Sequence, residues 1–138
     1  MAVLPPLSDE MAGPEARAIF AEIRAARKTD FINNFWRVLA HDPALLRATW
    51  DRLAVVMGPG ALDPLVKEMI YIAVSTANGC SYCVHSHTAA AKAKGMGPAE
   101  HAELLAIIGM ASQTNALATA LQVPVDPAFQ AEPAGQDT

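Results

Sequence analysis

Apolar positions along this chain recur at helical spacing. Proline, glycine and aspartate divide them where helices begin and end. The stretch "GPEARAIFAEIRAARK" puts Pro14 at a first helical position and sets Ile19, Phe20 and Ile23 on one face. "DFINNFWRVLAH" predicts a shorter apolar helix capped by Asp30. In "HDPALLRATWDRLAVVMG", Asp42 is the N-cap, Pro43 lies in the first turn, and Leu46, Trp50 and Leu53 follow at helical spacing. Gly58-Pro59-Gly60 ends that helix. Asp63-Pro64 repeats the start signal, and the segment runs through "LVKEMIYIAVSTAN" to Gly79. Its β-branched portion "IYIAVST" also fits a buried strand, but the Asp-Pro start and the length favour helix. A further helix covers about Cys80 to Lys94 and stops at Gly95. The last starts near Gly97-Pro98, with Glu100 at its third position, and reaches about Leu121.

The first dozen residues and the tail after Leu121 are rich in proline and in small or polar residues. They read as irregular arms, at about 1–12 and 122–138, that can dock on the bundle but carry no core. No hairpin signal and no internal repeat interrupts the helical punctuation. The expected fold is a single all-α domain over residues 1–138, a helical bundle.

Composition sharpens this picture at two points. Of the 138 residues 52% are hydrophobic and 17% charged, against about 45–50% and about 25% in ordinary globular chains. A small domain that apolar is expected to bury part of its surface against copies of itself. The formal net charge of −4 and the lack of a basic stripe argue against a nucleic-acid or anionic-membrane surface. The chain opens without the charged and apolar regions of a secretion signal. Its longest apolar run, "MIYIAV", is far short of the roughly 20 residues a membrane span needs. A soluble, cytoplasmic protein is expected, and in that reducing compartment a CxxC pair points to catalysis or metal binding rather than to a structural staple.

The chemistry concentrates in "EMIYIAVSTANGCSYCVHSH", residues 68–87, which holds both cysteines and two of the four histidines. Cys80, Cys83 and His87 stand at i, i+3 and i+7, so one helix presents all three on one face. Asn78-Gly79 breaks the chain just before Cys80 and leaves the thiols in a first helical turn, where unpaired N–H groups and the positive dipole end favour thiolate. Two intervening residues also let the sulfurs close a disulfide. Glu68 sits among Val66, Met69, Ile70 and Ile72, where a carboxylate is costly unless paired. If the helices on either side of Gly79 pack antiparallel, Glu68 meets His87. Such a pair would hold the imidazole in one tautomer and let it take a thiol proton. A cysteine activated by an oriented base, with a second cysteine beside it, is a reducible peroxidase or dithiol-exchange site.

The pattern Glu68-x11-Cys80-x2-Cys83-x3-His87 resembles that of the alkyl hydroperoxide reductase D-like family, within the carboxymuconolactone decarboxylase superfamily. The similarity extends over "FWRVLAHDPALLRATW", "GALDPLVKEMIYIAVS" and "GMGPAEHAELLAI", roughly residues 30 to 121. The resemblance implies an all-helical subunit with the CxxC at the N-terminus of a core helix. It implies that Cys83 attacks a hydroperoxide and passes through a sulfenic acid, that Cys80 resolves it to a disulfide, and that Glu68 and His87 form a proton relay. An external dithiol, of lipoyl or thioredoxin type, would reduce the disulfide. No metal or bound organic cofactor is implied, and family members assemble as trimers or hexamers. Tyr82 stands where the best-known peroxidase of the family has a histidine between its cysteines.

Other readings of the same residues remain. Cys80, Cys83, His87 and Glu68 are a conceivable zinc set, although structural zinc sites usually bring two separated ligand pairs and only one is present. A dithiol used only for exchange or sensing has the same sequence as a slow peroxidase. The decarboxylases of the superfamily lack the CxxC pair, which argues against lactone chemistry. His85 falls on a different helix face from Cys83 and reads as rim or interface. Tyr71, Tyr82, Trp36 and Trp50 read as packing, and His41 and His101 are assigned no role.

Overall fold

Among the described residues, four of the six α-helices begin on a proline that follows a cap residue, so punctuation legible in the chain sets most of the architecture. The computed structural model describes residues 3–130. Its helices are α1 (Pro14–Arg27), α2 (Asn34–Leu39), α3 (Pro43–Met57), α4 (Pro64–Ala77), α5 (Ser81–Ala93) and α6 (Pro98–Ala120), followed by a 3-10 turn at Pro127–Phe129. No strand occurs among the described residues, and "IYIAVST" is helical. The chain divides into two units between Ala61 and Leu62.

The first unit holds α1 to α3. Its core joins Ala16, Ile19, Phe20 and Ile23 of α1 to Ile32, Trp36, Ala40, Leu46 and Trp50. Phe20, Ile23 and Leu46 are fully buried. The Trp36 and Trp50 rings meet edge to face at 5.6 Å, a favoured quadrupole arrangement. Asp42 caps α3 as expected, its carboxylate accepting the N–H groups of Ala44 and Leu45.

Two expectations for this unit are corrected. Asp30 is not the cap of α2: the chain stays extended to Asn33, and the helix starts at Asn34. Burial of Ile32 holds that extended stretch down, and Asp30 instead presents its carbonyl to the Arg24 Nε–H at 2.9 Å. Nor is the N-terminal arm without core. Ala12 is buried within the cluster and Leu7 packs on it. Asp9 pins the segment by accepting from both Arg24 (2.8 Å) and Arg37 (3.0 Å), and these guanidinium groups hold its carboxyl below the usual range. Of the C-terminal arm, residues 131–138 lie outside the described residues.

The second unit holds α4, α5 and α6. Ile72, Ala91, Met96 and Leu104 form its core, with Leu65, Met69 and Ile108 packed against them. Asp63 caps α4 through the Leu65 N–H. In α6, Glu100 accepts the Gly97 N–H at 3.0 Å.

Alongside Ile72, α4 buries two polar residues and leaves apolar ones exposed. Glu68 and Ser75 are buried, while Val66, Ile70 and Val74, successive members of an i+4 stripe, are 40–53% exposed. On α6 only Leu104 is buried, and every residue from Gly109 to Ala120 is exposed. No helix among the described residues is long and apolar enough to cross a membrane.

Candidate active site

The candidate residues come from the α4–α5 hairpin and from the turn that closes it. Asn78 is the C-cap of α4, and Gly79 takes the left-handed conformation at φ +68°, which glycine adopts without strain. The Gly79 N–H then bonds Thr76 O and the Cys80 N–H bonds Ser75 O, at 3.1 and 2.9 Å, the paired bonds of a Schellman ending. This tight reversal makes the next residue, Cys80, the N-cap of α5.

The other end of α5 is closed the same way. Gly95 lies at φ +100°, Gly95 N–H bonds Lys92 O, and Met96 N–H bonds Ala91 O. Two glycines thus fix both ends of the helix that carries Cys83 and His87. Lys94 is held at its C-cap.

Folding the hairpin back on itself brings Glu68 and His87 together, as counting out from Gly79 anticipates. The Glu68 Oε2 lies 2.6 Å from His87 Nδ1. The Glu68 side chain is only 4% exposed and that of His87 17%. Burial works to raise the Glu68 carboxyl, but hydrogen bonds from His87 and Lys94 outweigh it, and the pKa is lowered. The carboxylate is therefore favoured and can only accept, so Nδ1–H is the donor in this bond.

Two contacts at this pair have no counterpart in the sequence expectations. The Tyr71 ring stacks on the His87 imidazole, with centroids 3.6 Å apart and planes 19° from parallel. Burial, followed by the negative groups nearby, raises the Tyr71 phenol, so that face stays neutral. The Lys94 ammonium reaches Glu68 Oε1 at 2.5 Å. A signal for Lys94 was present in its spacing: it lies seven residues after His87 and so shares its helix face.

Cys80 and Cys83, both reduced and partly buried, stand at the start of α5. The Cys80 sulfur caps the helix by accepting the Cys83 N–H at 3.4 Å. A hydrogen bond from the Cys83 thiol, with the capping N–H, lowers the Cys80 thiol. The same thiol hydrogen bond, then burial and the Cys80 charge, push Cys83 up to about 11. Of the two thiols Cys80 is therefore the readier to ionise and Cys83 the readier to keep its proton, whereas helix position alone favoured thiolate at both.

His85 is exposed, with Nδ1 2.8 Å from the Ser81 carbonyl. His41 contacts the Pro5 carbonyl through Nε2 at 2.9 Å. Among the described residues no three His, Cys, Asp or Glu side chains are arranged to hold a metal ion. An open cleft in the first unit, lined by Leu7, Asp9, Asn34 and Arg37 among others, contains none of the candidate residues.

Comparison with known proteins follows the same residues. The family model described as the carboxymuconolactone decarboxylase family matches residues 43–126. The chain is 34% identical over 131 residues to the alkyl hydroperoxide reductase AhpD of Solibacter usitatus (strain Ellin6076), an alignment covering 89% of this chain and 72% of that protein. It is 63% identical to the crystal structure of the alkylhydroperoxidase AhpD core from Rhodospirillum rubrum ATCC 11170, with a TM-score of 0.92, covering 96% of this chain and 99% of that one.

Proposed function

The chain belongs to the carboxymuconolactone decarboxylase family, as an AhpD-like member, and on that footing we propose that it is a thiol-dependent peroxidase. The observation that carries this reading is the 2.6 Å bond between buried Glu68 and His87, made one helical turn from Cys83 at the start of α5. Both similar proteins carry names of hydroperoxide-reducing enzymes, in agreement with that arrangement.

In the proposed cycle Glu68 holds the His87 imidazole by Nδ1, and Nε2 takes the Cys83 proton. The Cys83 thiolate attacks the peroxide oxygen and the O–O bond breaks. The departing alkoxide takes a proton, and Cys83 becomes a sulfenic acid. Cys80, whose thiol is lowered by its hydrogen bonds with Cys83, then attacks the Cys83 sulfur as thiolate. Hydroxide leaves and is protonated to water, and a disulfide forms. An external dithiol of lipoyl or thioredoxin type takes up the oxidation and restores both thiols. A cycle that ends in reduction suits a reducing compartment such as the cytoplasm.

The apolar stripe of α4 and the exposed half of α6 support a homo-oligomer, with a trimer or hexamer as the proposed form. A second reading, dithiol–disulfide exchange or sensing without significant peroxide turnover, draws on the lowered Cys80 thiol, which suits attack on a partner's disulfide. Peroxide consumption with a dithiol reductant separates the two. The peroxidase reading expects turnover that Cys83→Ser abolishes; exchange with small disulfides and no peroxide loss would overturn it.

A further inference from the structure

We infer that Lys94 is a positioning residue of the relay, fixing the far oxygen of Glu68 so that the near one holds His87. The inference rests on the peroxidase reading for its rate consequence, but its geometry stands apart from it. One carboxylate is divided between two partners, Oε1 to the Lys94 ammonium at 2.5 Å and Oε2 to His87 Nδ1 at 2.6 Å. A carboxylate held at one oxygen can swing about its terminal torsion, which is soft. Held at both, it has one plane, and that plane sets the direction in which the imidazole presents Nε2.

The asymmetry of burial gives the contact its weight. The Lys94 side chain is 40% exposed, that of Glu68 only 4%. An ion pair between two exposed groups would contribute little. Here the carboxylate has lost its water, and Lys94 is one of the two hydrogen-bonding groups that counter the burial. Without Lys94 a proton on the carboxyl becomes more favourable, and a protonated Glu68 no longer draws on Nδ1–H. The Schellman ending at Gly95 fixes the backbone of Lys94, so the ammonium approaches from a rigid helix end. Lys94 does not act on the peroxide itself; it acts through Glu68.

The test is a set of variants read by two assays. Oxidation of the reduced protein by hydrogen peroxide is followed in a single turnover. Alkylation of Cys83 by iodoacetamide is followed in the Cys80→Ser background, where no peroxide is involved. Lys94→Met is expected to slow both by roughly tenfold, and Lys94→Arg to recover most of the loss. In a Glu68→Gln protein, Lys94→Met should slow neither assay further, because its route is already cut. Unchanged rates in a folded Lys94→Met protein would overturn the inference. So would losses that multiply in the double variant, since they would mean that Lys94 acts independently of Glu68. If the parent protein consumes no peroxide, the peroxidase reading fails while the alkylation series still decides the role of Lys94.

Discussion

Glu68 and His87 lie nineteen residues apart in the chain and 2.6 Å apart in space, joined across a hairpin that a single left-handed glycine closes. The bond holds the imidazole by Nδ1 on a buried carboxylate. Consequences for stability, catalysis and assembly follow from it and from the helices that hold it.

The Glu68 carboxyl is lowered in the folded protein from a value of 4.5. A lowered folded-state pKa means that its pairing stabilises the protein fully above pH 4.5 and that this stabilisation fades as pH falls through the lower folded value. Glu68→Gln should destabilise by about 1–3 kcal/mol at neutral pH. Thermal melts of the two proteins should converge as the pH drops below 4.5. A gap that stays constant to pH 3 would show that the carboxylate charge contributes nothing.

The two sulfurs are expected to divide the chemistry. Cys83→Ser should abolish peroxide reduction. Cys80→Ser should consume about one equivalent and stop as a sulfenic acid, for want of a resolving thiol. Dimedone trapping followed by mass spectrometry reads the position directly. An adduct on Cys80 in the Cys83→Ser protein, with none on Cys83 in the converse variant, would transfer the attack to the lower-pKa thiol.

Tyr71 should matter through its ring and not its hydroxyl. Tyr71→Phe keeps the stack on His87 and is expected to leave the oxidation rate within about twofold, whereas Tyr71→Ala frees the imidazole and should slow it up to about tenfold. Single-turnover oxidation of both variants checks this. Equal losses in the two would assign the effect to the phenol.

The exposed run from Gly109 to Ala120 amounts to more than three helical turns without tertiary cover, a length at which an isolated helix is marginal in water. With Met110 and Leu117 facing outward at 58% and 53% exposure, a second copy is the expected cover. Sedimentation should show a homo-oligomer at micromolar concentration, and Leu117→Glu should shift it towards smaller species. A monodisperse parent monomer would rule the assembly out.

Most of the helical order was legible because proline and aspartate act locally. Asp42-Pro43 and Asp63-Pro64 start helices by satisfying their own first-turn N–H groups, whatever the rest of the chain does. The Glu68–His87 contact was legible for a related reason: a tight turn at Gly79 reduces pairing to counting outward along two antiparallel helices. Asp30 misled because burial of Ile32, a tertiary effect, outweighs a local capping preference. Ala12 was missed because a lone alanine among prolines and glycines carries no periodic signal.

Lys94 and Tyr71 illustrate a different limit. Spacing places Lys94 on the face of His87, but a long flexible side chain has many targets, and only the fold shows that it ends on Glu68. The proton order of the cysteines depends on the N-cap geometry of Cys80 and on one hydrogen bond between the two thiols. Neither is encoded in the letters CxxC.

Cys80 holds two structural posts at once: its N–H closes α4 against Ser75, and its sulfur receives a first-turn N–H of α5, that of Cys83. Whatever happens to that sulfur is therefore felt by a backbone amide. A thiolate is a strong acceptor and a disulfide sulfur a weak one, so oxidation should loosen the first turn of α5 and leave α4 sealed. The Cys83 amide is thus a built-in reporter, whose nuclear-resonance shift and hydrogen exchange follow the oxidation state of the pair without any added label.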